Sequence, residues 1–216
     1  MAGKSLILIS IVIVSVLVKH FMNKMEFFSL PEGFTFNDQS CELAGLGVGL
    51  VGSEDLALGR HGVLFITSGD LHNTFTQGAA AAKPGGLWVL DMRDGGAEEP
   101  VRIQLDSLPD GRRFQGHGLD VSNTTNRVYS ISHNGDHSSV DIFQISYNKE
   151  CLANLPWSCQ PVSLYFLRSI QSSIFPNYGI NDVVEAEENQ IYVTQWQPFS
   201  FPTRYMFVCF GVKMFQ

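Results

Sequence analysis

Basic residues are scarce in this chain of 216 residues, in which 14 Lys and Arg stand against 21 Asp and Glu, for a formal net charge of -7. Proteins that bind nucleic acid neutralise its phosphates with a basic surface. The composition therefore argues against a nucleic-acid partner and favours a cationic ligand such as a metal ion. Long helical patterns are also scarce, because 20 glycines and 9 prolines separate short apolar runs. That rhythm is typical of an all-β protein.

No uncharged apolar run reaches the roughly 20 residues that cross a bilayer. The run at residues 5–18 comes closest, between Lys4 and Lys19. A basic start followed by an apolar centre predicts a secretory targeting segment, but Lys19–Met22 interrupts the place of a small-x-small cleavage site. We therefore expect residues 1–24 to form a signal peptide or signal anchor, with an N-terminal hydrophobic helix retained as the favoured case. The remainder is expected on the lumenal or extracellular side.

The cysteines match no zinc-binding spacing, and export makes them candidates for disulfides with three possible full pairings. They are Cys41, Cys151, Cys159 and Cys209. Cys151 and Cys159 are close enough in sequence to close a small loop. Asn123 begins an Asn-Thr-Thr sequon, which predicts N-glycosylation in an exported protein.

Short β-rich runs alternate with turn clusters from Cys41 onward. The runs are residues 62–67, 86–90, 102–105, 127–132, 140–145, 164–167 and 190–194. Three of them, at 64–67, 128–131 and 191–194, recur about every 63 residues, which is wide for a blade repeat of about 40 to 50 but compatible with inserted loops. The pattern indicates a β-propeller or a β-sandwich, and the recurrence favours the propeller.

Three polar segments lie beside the start or end of a predicted strand, where propeller loops converge on a central channel. They are residues 52–56, 116–120 and 179–183. Calcium prefers six to eight oxygen ligands, and carboxylates, an amide and a backbone carbonyl supply part of such a shell. A nearby histidine suits a general base. Taken singly, each segment is also explained as a turn with a side-chain cap.

Taken together, these segments resemble the paraoxonase/arylesterase family. The motifs that carry the resemblance occur in the family's order between Cys41 and about Phe201. They are Gly-Ser-Glu54-Asp55-Leu with Gly62–Gly69, His117-Gly-Leu with Val128-Tyr and Ser-His133, and Asn181-Asp182-Val-Val.

The resemblance implies a six-bladed β-propeller that holds two calcium ions and hydrolyses lactones, aryl esters and some organophosphates. It implies that Glu54 and Asn181 ligate the catalytic calcium. Asp55, Asp182 and the carbonyl of Leu119 would then hold the structural calcium. His117 and His133 match the pair that activates or positions water, and whether His117 or Glu54 takes the proton stays open. A membrane or lipoprotein surface is the implied partner of the N-terminal segment.

Residues 41–201 accommodate about three to four blades, so we expect a truncated portion of the family's propeller. The family's remaining calcium ligands are then missing. So is the cysteine that would pair with Cys41. Residues 205–216 form an atypical apolar tail, which we interpret as the product of a truncated or mis-spliced gene. An edge strand is the alternative interpretation of these residues. A second functional hypothesis is a non-catalytic, membrane-tethered protein that binds or assists another membrane protein.

Overall fold

The computed structural model describes most of the chain between residues 45 and 215. The described residues are 45, 47–78, 80–93, 99–105, 108–109, 112–134, 137–171, 179–188, 190–195 and 210–215. All of them belong to the unit formed by residues 43–216. The predictions for residues 1–24, for Cys41 and for residues 205–209 lie outside the described residues.

The described residues form three antiparallel sheets. The first sheet has the order β1-β2-β3-β4 and the second has β5-β6-β7-β8, so that each strand pairs with the next one in sequence. The third has the order β9-β10-β11. The strands are β1 (Ser53–Leu58), β2 (Val63–Ser68), β3 (Gly86–Asp91), β4 (Val101–Ile103), β5 (Gly116–Ser122), β6 (Arg127–Asn134), β7 (His137–Tyr147), β8 (Val162–Ile170), β9 (Ile180–Glu187), β10 (Gln190–Gln195) and β11 (Phe210–Phe215).

Helical structure is limited to short connections in the described residues. Helix α1 spans Leu71–Gln77, helix α2 spans Lys149–Leu152, and a 3-10 turn lies at Arg60–Gly62. The Asn148 side chain caps α2 by accepting a hydrogen bond from the amide of Cys151. Within this part of the chain, neither helix has the length and apolar run needed to span a membrane.

The prediction of an all-β protein is confirmed, and every predicted β-rich run overlaps an observed strand. The three recurring runs lie on β2, β6 and β10, the second strand of each sheet. At residues 210–215 the backbone pairs with β10, so part of the predicted apolar tail is a strand. Within the described residues the three sheets do not close into a ring.

The placement of the polar segments differs from the sequence prediction, which put them in loops beside strands. Residues 53–58, 116–122 and 180–187 are themselves the first strands of the three sheets. Their glycine, aspartate and asparagine have low β propensity. Their extended conformation is therefore stabilised by pairing with the apolar second strands and by contacts between sheets.

Two apolar clusters hold the sheets together. The first joins the first two sheets and includes Phe65, Leu87 and Phe143, all fully buried. The second joins the second and third sheets through residues such as Tyr129 and Ile191. Burial of each large side chain contributes about 1.5–3 kcal/mol. Side chains along β6 and β7 point alternately into the two clusters, because successive residues of a strand face opposite sides of its sheet.

Candidate functional site

The first strands of the three sheets lie side by side, with β1 against β5 and β5 against β9. They are structurally equivalent, because in each strand one carbonyl contacts a hydroxyl twelve residues later. These contacts join Thr67 Oγ1 to the Asp55 carbonyl at 3.4 Å, Ser130 Oγ to the Gly118 carbonyl at 3.3 Å and Thr194 Oγ1 to the Asp182 carbonyl at 3.4 Å. The pairs Glu54-Asp55, His117-Gly118 and Asn181-Asp182 therefore occupy matching positions.

Aspartate side chains link one sheet to the next. The carboxylate of Asp55 accepts a hydrogen bond from its neighbour's amide, Leu56 N, at 2.8 Å, and another from Leu119 N of the second sheet at 2.8 Å. In the same way, Asp120 accepts one from Glu185 N of the third sheet at 2.7 Å. Hydrogen bonds to charged groups contribute more than neutral ones, about 1.5–3 kcal/mol each. These carboxylates therefore fix the first strands relative to one another.

Gly118 allows β5 and β9 to approach closely. A Cβ atom at Gly118 would lie 2.5 Å from the Asn181 carbonyl oxygen, 2.5 Å from the Asp182 Cα and 2.7 Å from the Asp182 Oδ1. Such distances are well inside van der Waals contact, and most of the clashing atoms belong to the backbone. The missing side chain leaves room for the carboxylate of Asp182 beside β5.

Asp55 and Asp182 form a carboxylate pair across this narrow gap. Burial raises the pKa of Asp182, and the neighbouring Asp55 side chain raises it further, with a smaller contribution from Asp120. Two carboxylates resist ionising together in a partly desolvated place, and a bound divalent cation removes that penalty. The donor set and the space beside Gly118 therefore fit a calcium ion.

Side-chain carboxylates and imidazoles alone do not complete a metal shell here. No group of three or more His, Cys, Asp or Glu side chains in the described residues is arranged to hold an ion. A calcium ion at the Asp55–Asp182 pair would need further oxygens from the backbone, an amide or water, which are ligands that calcium accepts. The carbonyl of Leu119 belongs to the residue whose amide already contacts Asp55.

His117 and His133 form a buried pair. The Nδ1 atom of His117 lies 2.9 Å from the Nε2 atom of His133, and the His133 side chain is completely shielded from solvent. On the other side, His133 Nδ1 lies 2.8 Å from the Ser138 hydroxyl. The ring of Phe75, from α1, packs edge-on against His133 with a centroid distance of 5.3 Å. The sequence motifs singled out both histidines, but it is the tertiary fold that brings them into contact.

Burial keeps both imidazoles neutral. It lowers the pKa of His117 to about 4, against a smaller opposing effect of the Asp55 charge. It lowers the pKa of His133 to about 3, assisted by the proximity of His117. The Glu54 carboxylate oxygen Oε2 lies 3.9 Å from His117 Nε2, on the side away from His133. A carboxylate there stabilises a positive charge that develops on His117 during a reaction.

Because both histidines are buried and neutral, we expect the free energy of unfolding to depend on pH. Below about pH 6.5 the unfolded chain binds protons at both positions, whereas the folded chain does so only below about pH 4 at His117 and about pH 3 at His133. Their contribution to the free energy of unfolding should therefore fall as the pH decreases from 6.5 to 4, by about 1.4 kcal/mol per pH unit for each proton. Urea unfolding of the calcium-free wild type and of His133→Gln at several pH values measures this contribution. If the free energy of unfolding changed with pH equally in the two proteins, the prediction would be contradicted.

Two other predictions concern positions outside this site. Asn123 is exposed in the turn between β5 and β6, as an accessible sequon requires. Cys151 and Cys159 form a disulfide with Cα atoms 5.6 Å apart, which confirms one of the pairings considered from the sequence.

Sequence reasoning missed Ser138 and the hydroxyls of Thr67, Ser130 and Thr194. Thr67, Ser130 and Thr194 lie in the recurring runs of β2, β6 and β10, so that recurrence could have indicated their equivalent roles.

Three consecutive antiparallel sheets, with a histidine pair and a carboxylate pair gathered on their adjoining strands, define an all-β protein with one composite polar site. The family model described as Arylesterase matches residues 37–210, and the chain belongs to this family. Membership indicates an ester hydrolase that acts on small-molecule esters. No curated protein matches the chain.

Proposed function

We propose that this protein is a calcium-dependent hydrolase of aryl esters, lactones and some organophosphates. The observation that carries the proposal is the buried His117–His133 pair. Its His117 lies beside Glu54, on the strand β5 between the strands of Asp55 and Asp182. A neutral imidazole with a carboxylate on its far side is suited to accept a proton from water. The family to which the chain belongs supports ester hydrolysis as the reaction.

Each predicted ligand has a role in this proposal. Glu54 and Asn181 would hold the catalytic calcium, and Asp55, Asp182 and the Leu119 carbonyl would hold the structural one. When bound, the catalytic calcium polarises the ester carbonyl and stabilises negative charge on its oxygen. The family's calcium dependence and the fit of the Asp55–Asp182 pair support calcium as the ion.

His117 is the proposed general base. Its Nε2 removes one proton from a water molecule while the water oxygen attacks the carbonyl carbon. The bond from that carbon to the ester oxygen then breaks, the phenol or alcohol leaves with the proton that the His117 imidazolium returns, and the carboxylic acid remains with the hydroxyl from water. The low pKa of His117 keeps its imidazole neutral near neutral pH, so that one ring nitrogen carries no proton, and the Glu54 carboxylate stabilises the imidazolium that forms.

The proposal includes the architecture of a six-bladed β-propeller, of which this chain supplies a part. The first two sheets each contain four strands joined in sequence order, which is typical of propeller blades. Their first strands lie side by side, as the innermost strands of neighbouring blades do. The Asp55 and Asp120 carboxylates make analogous contacts with a backbone amide of the next sheet, although Asp120 lies two residues further along its strand than the position that matches Asp55.

The proposal further includes export, with residues 1–24 as the targeting segment and a membrane or lipoprotein surface as its partner. The Cys151–Cys159 disulfide supports an oxidising compartment. Expressed in cells that glycosylate secreted proteins, the wild type is expected to carry a glycan at the exposed Asn123. Digestion with an N-glycosidase should increase its gel mobility, whereas Asn123→Gln should show no change. Identical untreated mobilities of the two proteins would contradict glycosylation at this residue.

The test of the proposed function is hydrolysis of phenyl acetate and a δ-lactone by a full-length version of the protein that carries all the proposed blades and calcium ligands, with calcium or with a chelator. We expect turnover that disappears on chelation and returns with added calcium. Asp182→Asn should raise the calcium concentration for half-maximal activity by at least about tenfold, because it removes one charge from the carboxylate pair. Glu150→Gln, at an exposed position on α2, is the matched control. Turnover that is absent, or that a chelator leaves unchanged, would count against the proposal and favour a non-catalytic role.

A further inference from the structure

Ser138 faces His133 directly across two paired strands. In the antiparallel register of β6 and β7, His133 is opposite Ser138, and Ser132 is opposite Ser139. Because side chains alternate along a strand, Ser138 points to the same side of the sheet as His133, and Ser139 points to the other side. The Ser139 hydroxyl contacts the Asp141 carboxylate at 3.0 Å instead. The contact between Ser138 and His133 therefore follows from the strand register.

A chain of hydrogen bonds runs from Ser138 through His133 to His117. The Ser138 Oγ–His133 Nδ1 distance is 2.8 Å, and the His133 Nε2–His117 Nδ1 distance is 2.9 Å. Ser138 is buried and His133 has no exposed surface. Each neutral imidazole carries a single N–H, so the position of one proton determines the donor at the next contact.

We propose that Ser138 is a positioning residue, which accepts a hydrogen bond from His133 Nδ1 and thereby sets the tautomer of both histidines. This rests on the proposed function in assigning Nε2 of His117 as the proton acceptor. For that nitrogen to have a free lone pair, His117 must carry its proton on Nδ1 and donate it to His133 Nε2. His133 must then carry its own proton on Nδ1, where the Ser138 oxygen lies.

If these hydrogen bonds ran in the opposite direction, His117 could not act as the general base. If the Ser138 hydroxyl donated to His133 Nδ1, then His133 would carry its proton on Nε2 and donate to His117 Nδ1. His117 would consequently be protonated on Nε2, the nitrogen that lies 3.9 Å from Glu54. The hydroxyl of Ser138 thus controls, through the intermediate ring of His133, whether the Nε2 atom of His117 is able to accept a proton.

The kinetic test compares Ser138→Ala and Ser138→Thr with the wild type in phenyl acetate hydrolysis at saturating calcium. Loss of a group that orients a reacting residue costs about 10- to 100-fold. We expect kcat of Ser138→Ala to fall in that range, with KM changed less than about twofold. Ser138→Thr retains the hydroxyl and should recover most of kcat. Ser139→Ala removes the adjacent buried hydroxyl on the other face of the sheet and should keep kcat near the wild-type value.

A spectroscopic measurement decides the tautomer without relying on activity. The ¹⁵N signals of the imidazole rings in the full-length chain distinguish protonated from unprotonated nitrogens, and His133→Gln assigns those of His133. We expect His133 to be protonated on Nδ1 in the wild type and in Ser139→Ala, and to lose that preference in Ser138→Ala.

Failure of this inference and failure of the proposed function have different signatures. A wild type without hydrolysis overturns the proposed function, while the ¹⁵N signals still test whether Ser138 sets the tautomer. Protonation of wild-type His133 on Nε2 overturns the role of Ser138, even if the protein is an active hydrolase. An unchanged kcat in a folded Ser138→Ala variant of an active protein overturns it as well.

Discussion

Replacement of His117 by Gln is expected to lower calcium-dependent hydrolysis of phenyl acetate by about 10²- to 10⁴-fold. General base catalysis contributes rate factors of this size, and glutamine has no nitrogen that accepts a proton near neutral pH. His117 is the member of the histidine pair that lies next to Glu54, with His133 held behind it by Ser138. The measurement is kcat and kcat/KM at saturating calcium, for protein whose folding has been checked by circular dichroism.

His61→Asn is the matched control for this substitution. His61 is exposed in the 3-10 turn before β2, with a φ of 60° that asparagine adopts more readily than most residues. Its replacement should leave kcat within about twofold of the wild-type value. A His117→Gln variant that keeps a third or more of the activity would move the proton-accepting role to another group, with Glu54 the first to test by Glu54→Gln.

Gly118→Ala is expected to destabilise the fold by about 3 kcal/mol and to weaken calcium binding. The added methyl group would meet the backbone of β9 at 2.5 Å, so that β5 and β9 must separate. Overpacking of a buried contact costs about 1–3 kcal/mol or more, and backbone atoms cannot move away as a side chain can. Separation of the strands would also move Asp182 away from β5, which carries the proposed ligand Leu119. Urea unfolding with and without calcium measures both effects.

Gly47→Ala provides the control for the added methyl group. A Cβ at Gly47 would have the Glu99 Oε1 atom as its nearest contact, at an ordinary 3.7 Å. We expect this variant to unfold at the same urea concentration as the wild type, within about 0.5 kcal/mol. Equal stability of Gly118→Ala and Gly47→Ala would show that β5 and β9 are not held at the observed distance.

The strands of the core could be predicted because their own side chains specify them. Runs such as residues 62–67 and 127–132 combine β-branched and aromatic residues between turn signals, and they became β2 and β6. The first strands of the sheets could not be predicted in this way. Their conformation depends on partners far along the chain, since the Asp55 carboxylate contacts an amide 64 residues away.

Residue type, local spacing and motif order were enough to predict the all-β class, the family and the residues of the histidine and carboxylate pairs. Only the folded chain shows that the polar segments are strands and that His117 contacts His133. It also placed Ser138 opposite His133, through the register of β6 and β7. The physical reason is that strand register and the stacking of sheets bring together residues whose separation along the chain carries no local signal.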